Sequence, residues 1–176
     1  MPKYETGSGG PRTPRVLPPD PAKRIEHGVN YCLRRLTAMA RTTHELRDGM
    51  QKRGYPEDTI EAVLGRLRAY HYVDDREFAI HWVQTRHRNR GSSRAVIAGE
   101  LRRKGIAREL ADEALAQVTN ASEQDRATAL ATAKVRSAPA RLRADPDALR
   151  RRLIAMLGRR GYCYEVSNRA VAEALQ

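Results

Sequence analysis

A chain of 176 residues is about one ordinary domain or a few small units. Its 33 Lys and Arg against 21 Asp and Glu give a net charge of +12, which predicts attraction to a polyanion, nucleic acid first. With 40% hydrophobic residues but one Phe and one Trp, the core falls to Leu, Ile, Val, Ala and Met, a palette that favours thin layers of helices over a large globule. Two cysteines, Cys32 and Cys163, exclude a disulfide scaffold, and no apolar run suggests a membrane span or a signal peptide. A soluble, cytoplasmic protein without membrane contact is expected. Only five of the 33 cations are Lys, so an Arg-rich solvated surface is the alternative reading, weighed below nucleic-acid contact.

In chain order, residues 1–24 hold six of the nine prolines and almost no large apolar residue, which predicts a disordered, basic, Pro-rich arm. From Arg24 the pattern turns helical. Val29, Cys32, Leu33, Leu36 and Met39 share one face of a first helix. Thr42 and Glu45 have the spacing of a capping box for a second, which stops at Gly54. Pro56, Glu57 and Asp58 suit the first turn of a third, with Ile60, Val63, Leu64 and Leu67 facing inward to about His71.

Asp74 reads as the next N-cap, with Glu77 at the third helical position and Val73 stapled onto Phe78. Phe78, Trp82 and Val83 then form the buried face. A loop at Arg90–Ser93 leads to a helix closing at Gly105, followed by one presenting Leu110, Ala114 and Leu115. Ser122 caps an Ala-rich helix through Val135, and residues 137–147 make a longer connection. Helices over 149–161 and through Val166, Ala170, Val171 and Leu175 end the chain. No segment alternates like a strand.

One phrase recurs through this series: Lys52-Arg53-Gly54-Tyr55, Arg103-Lys104-Gly105-Ile106 and Arg159-Arg160-Gly161-Tyr162. The copies stand 51 and 56 residues apart, the longer spacing matching the longer connection. Apolar residues precede each glycine by eight and four positions (Leu46 and Met50, Ile97 and Leu101, Leu153 and Leu157), one helix face each time. Self-similarity at this period indicates stacked copies of one supersecondary unit. The expected fold is all-α, tandem three-helix repeats forming an elongated, curved body. The units are 25–72, 73–118 and 119–176, with Gly54, Asp74, Phe78, Trp82, Gly105 and Gly161 as structural residues.

Catalytic chemistry finds little support. Asp74, Asp75 and Glu77 resemble a metal or acid–base cluster, but capping accounts for Asp74 and Glu77. Histidines at 27, 44, 71, 81 and 87 form no metal-ligand spacing, and Glu77 and His81, one turn apart, fit a surface pair. No phosphate loop or nucleophile motif occurs. No enzyme, cofactor or metal is expected.

The basic clusters are more telling. Arg86, Arg88, Arg90 and Arg94 surround the loop of the second unit. Arg102, Arg103 and Lys104 end its repeat helix, and Arg150, Arg151, Arg152, Arg159 and Arg160 flank that of the third. Cations in a last turn stabilise a helix dipole by about 0.3–1 kcal/mol each. A spaced row of them also suits a phosphate backbone or an acidic surface. Tyrosines at 55, 70, 72, 162 and 164 can stack on bases, although Tyr55 and Tyr162, after the glycines, suit the corner between two helices.

The ordered series Arg41-Thr42-Thr43-His44-Glu45-Leu46-Arg47, Lys52-Arg53-Gly54-Tyr55, Tyr72-Val73-Asp74-Asp75-Arg76-Glu77-Phe78-Ala79 and Glu100-Leu101-Arg102-Arg103-Lys104-Gly105-Ile106 resembles the bacterial RecX family. The likeness covers residues 25–118 and extends more loosely to Arg159-Arg160-Gly161-Tyr162. It implies tandem three-helix repeats lying along the groove of the RecA–DNA filament. It also implies a restraint on RecA ATP hydrolysis, strand exchange and coprotease activity, within recombination, DNA repair and the SOS response. The partners so implied are RecA and, nonspecifically, single- and double-stranded DNA; the basic residues named above are the contact candidates, and three unequal repeats in one chain argue for a monomer. The alternative is a helix-turn-helix transcription regulator, which requires a defined duplex site and usually a symmetric dimer.

Overall fold

The computed structural model describes residues 16–176, and among them it is entirely helical apart from turns. Helices α1 (Pro21–Ala38), α2 (Thr43–Gln51) and α3 (Glu57–Ala69) form a first group. A second comprises α4 (Asp75–Thr85), which runs on as a π-helical turn Arg86–Arg90, α5 (Arg94–Arg103) and α6 (Arg108–Leu115). The third contains α7 (Asn120–Arg136), a single turn α8 (Ala140–Arg143), α9 (Pro146–Arg159) and α10 (Tyr164–Ala174).

Each group has its own core. Leu46, Met50, Ile60, Val63, Leu64 and Leu67 pack together in the first. Ala79, Val83, Ile97, Leu101, Ala114 and Leu115 do so in the second, and Leu149, Leu153, Leu157, Ala170 and Val171 in the third. The apolar pairs one and two turns before each glycine are all fully enclosed, as helical spacing requires. The glycines themselves are left-handed, with φ of 79°, 72° and 86° at Gly54, Gly105 and Gly161. Each closes the middle helix of its group and sends the chain sharply into the next. Tyr55 and Tyr162, at 5% exposure, fill that corner.

Several local expectations need correction. The N-terminal arm was expected to run to residue 24, but α1 begins at Pro21 because Asp20 caps it, its side chain accepting from the Ala22 N–H. Arg24 donates to the carbonyls of Pro18 and Pro19, and Leu17 packs on the first core; the rest of the arm, residues 1–15, lies outside the described residues. Val73, expected to staple onto Phe78, is buried in the core of the first unit. Phe78 and Trp82 are only half-buried, the enclosed face of α4 being Ala79 and Val83. Thr119, not Ser122, caps α7, accepting from the Ser122 N–H. The long connection before α9 contains the extra turn α8, and Asp145 moves the start of α9 to Pro146.

Candidate interface: the repeat joints and the arginine surface

The N-terminus of α2 meets the C-terminus of α5. Thr42 completes the expected capping box with Glu45, and its hydroxyl also donates to the Lys104 carbonyl at 2.7 Å, satisfying an acceptor that α5 leaves open at its end. Lys104 Nζ returns to Glu45 Oε1 at 2.9 Å. The next amide, Thr43 N–H, donates to Asp75 Oδ1 at the start of α4.

The N-terminus of α5 meets the end of α9 at the equivalent place, with a backbone amide donating where the first joint uses a hydroxyl. Ser93 N–H donates to the Arg160 carbonyl at 3.0 Å, and Arg94 N–H donates to Glu123 Oε1 of α7 at 2.8 Å. Thr42 and Ser93, like Thr43 and Arg94, stand 51 residues apart, the period of the first two glycines. The recurrent phrase is therefore a joint. Its second and third copies receive the capped helix start of the preceding unit, while among the described residues the first receives none: a Cβ at Gly54 would meet nothing within 4 Å. At the opposite end of the series, Pro146 occupies the first position of α9, so the amide used in both joints is missing there.

These contacts settle what several acids do. Asp74 accepts from the Arg76 and Glu77 N–H groups, and Asp75 holds the first joint. No cluster of metal-ligating side chains occurs among the described residues. Cys32 is buried, which pushes its thiol up to about 11, whereas Cys163 is exposed. Burial likewise raises the Tyr162 phenol to about 12.

The twelve basic candidates divide by exposure. Arg88, Arg90, Arg94, Arg102, Arg103, Arg151, Arg152 and Arg159 are exposed and enter none of the side-chain ion pairs of the described residues. Four others are partly buried and have internal duties. Lys104 pairs with Glu45. Arg160 gives its carbonyl to the second joint, and Arg150 donates to Asn168. Arg86 lies 4.0 Å from the Trp82 ring centroid and 2.8 Å from Glu100, an ion pair without aligned hydrogen-bond geometry. Sequence reasoning missed this network, in which the Trp82 indole N–H donates to the same carboxylate at 2.8 Å and Lys104 Nζ stands 4.5 Å from the indole. The weak signal for it was an acid three residues after the buried Ile97 on the repeat helix.

Burial pushes the Glu45 carboxyl upward, but hydrogen bonds from Lys104 and the Thr42 backbone N–H, with the charges of Lys104 and Arg41, hold it below the ordinary 4.5. A depressed carboxylate contributes stability above its unfolded value, lost as pH falls through the folded one. Glu45→Gln retains the capping box but removes the charge, and about 1 kcal/mol is expected to be lost at pH 7. Urea titrations of both proteins from pH 7 downward should show that gap closing below pH 4.5. A gap independent of pH would assign the effect to shape.

Family models match in two places: the first three-helix domain of RecX at residues 29–67 and the second at 74–115. The regulatory protein RecX of Mycolicibacterium smegmatis is 44% identical over 81% of this chain and 77% of its own. That of Streptomyces lividans is 38% identical over 89% and 81%. The crystal structure of RecX from Lactobacillus salivarius has the same fold, with a TM-score of 0.70 at 22% identity over 87% of this chain and 97% of its own. Repeats, joints and relatives agree, and the chain belongs to the RecX family of regulatory proteins.

Proposed function

We propose that this protein regulates RecA by binding the RecA–DNA filament as a cytoplasmic monomer and lowering its ATP hydrolysis, strand exchange and coprotease activity, without an active site of its own. Family membership is the observation that carries this reading. The surface supports it: the eight exposed candidate arginines, which enter no ion pair among the described residues and are distributed over the second and third units, suit a partner that is itself an extended polyanion. Arg102, Arg103 and Arg159 stand in equivalent last turns beside the two joints, so successive units present cations at related positions. These arginines are its proposed contacts to filament and DNA.

Substoichiometric protein is expected to lower RecA ATPase on single-stranded DNA, with inhibition weakening as salt rises. Unchanged hydrolysis at equimolar protein, together with a footprint confined to one duplex site, would instead make it a transcription regulator.

A further inference from the structure

Where the first unit meets the second, a cleft of about 560 Å³ opens between the end of α1, the linker to α4 and the outer face of α4. Met39 and Tyr72 stand on its rim at 55% and 57% exposure, and the half-buried Phe78 and Trp82 line it. A Schellman cap ends α3: His71 is left-handed with φ 55°, and the following Tyr72 N–H donates back to the Leu67 carbonyl. A non-glycine residue in that region is uncommon, and here it fixes the backbone that carries Tyr72. Exposed Tyr and Met beside Trp and Arg is the composition of a protein-binding centre rather than of ordinary surface.

We propose that this cleft receives a segment of a protein partner, namely a bulky apolar side chain seated between Met39, Tyr72 and Phe78 with a neighbouring carboxylate on Arg90. Arg90 lines the cleft, is exposed and forms no ion pair among the described residues. Nucleic acid suits the cleft less well. Of the charges on its lining, Arg41 and Arg86 are paired with Glu45 and Glu100, and Asp74 and Glu77 disfavour a run of phosphates, so a single carboxylate on Arg90 matches the cleft better than a nucleic-acid backbone does. The Trp82 ring is already engaged by Phe78, stacked at 5.5 Å, and by Arg86 and Lys104, leaving little free face for a base. The polyanion-facing cations lie mostly elsewhere, at Arg88, Arg94, Arg102, Arg103, Arg151, Arg152 and Arg159. The molecule thus divides its work between an apolar anchor for protein and a charged surface for the nucleic-acid strand.

This assignment rests on RecA regulation, and the full-length protein tests the two separately. The combined change Met39→Ala and Tyr72→Ala, both at exposed positions, is expected to raise the half-inhibitory concentration against RecA ATPase on single-stranded DNA about tenfold. Its thermal midpoint and its affinity for a fluorescent oligothymidylate should be unchanged. Arg90→Glu should act in the same direction. Wild-type protein that inhibits RecA while the double variant inhibits equally well overturns the cleft alone. Wild-type protein without any effect on RecA overturns the regulatory reading and the cleft with it. Trp82 is the single tryptophan of the chain; an emission change on adding the oligonucleotide alone, lost in the double variant, would give the cleft to nucleic acid and overturn the proposal.

Discussion

Replacing Gly105 by Ala is expected to lower stability by about 3 kcal/mol, whereas the same change at Gly54 costs about 1 kcal/mol. Both glycines are left-handed, so both variants incur the backbone penalty that an L side chain meets at positive φ. Only at Gly105 does the new methyl carbon also overlap a neighbour, the Cβ and ring of His44 across the first joint. The His44 ring is exposed and can swing away, but its Cβ is fixed to α2, so the joint itself must open. Gly161→Ala meets Val96 and Ser93 in the second joint and should behave like Gly105→Ala. Asn tolerates the left-handed region and separates the two costs. Gly54→Asn should be close to neutral, while Gly105→Asn should remain severe. Urea unfolding followed by circular dichroism measures all of these, and equal losses at positions 54 and 105 would reduce the joint to an incidental contact.

The contrast between these glycines shows which parts of the fold were legible in the sequence. Helix stops, the Thr42–Glu45 box, the Asp74 cap and the corner tyrosines are decided within a few residues of chain, so local chemistry was enough to find them. The joints are not local. Thr42 and Lys104 are 62 positions apart, and nothing in either neighbourhood shows that one hydroxyl serves two helix ends. The same limit explains Phe78 and Trp82. Their periodicity marks one side of α4, but it does not distinguish a side facing a core from one facing a cleft beside cations. It also applies to Val73, whose place in the core of the first unit cannot be read from its position before an N-cap. Which arginines remain free depends on such distant partners, so the candidate surface could be proposed from sequence but not divided.

The three cores share no residue, and the named joints consist of hydrogen bonds, one ion pair and close backbone approach. Each unit therefore draws its stability from its own apolar burial, while polar contacts of modest net worth set the orientation between units. Such an arrangement fixes the spacing of cations along the chain without a large interface between repeats.

That division predicts different consequences for adjacent cations on one helix end. Lys104→Glu places a carboxylate against Glu45 in a joint where both side chains are mostly covered, at 20% and 23% exposure. It also removes the ammonium beside Trp82 and Phe78, and a loss of about 2 kcal/mol is expected. Arg102→Glu combined with Arg103→Glu alters two exposed side chains in the last turn of α5 and should lower stability by about 1 kcal/mol, half the effect of Lys104→Glu, chiefly through the helix dipole. Inhibition of RecA ATPase should nevertheless fall about tenfold at low salt, with the difference from wild type shrinking as salt screens the contact. Lys104→Met, which keeps the stem against the aromatic rings, should recover the packing but not the ion pair with Glu45. The decisive comparison sets thermal midpoint against half-inhibitory concentration. If Arg102 and Arg103 can be reversed without loss of inhibition while Lys104 variants lose both properties, then the recurrent basic residues serve only to join the repeats.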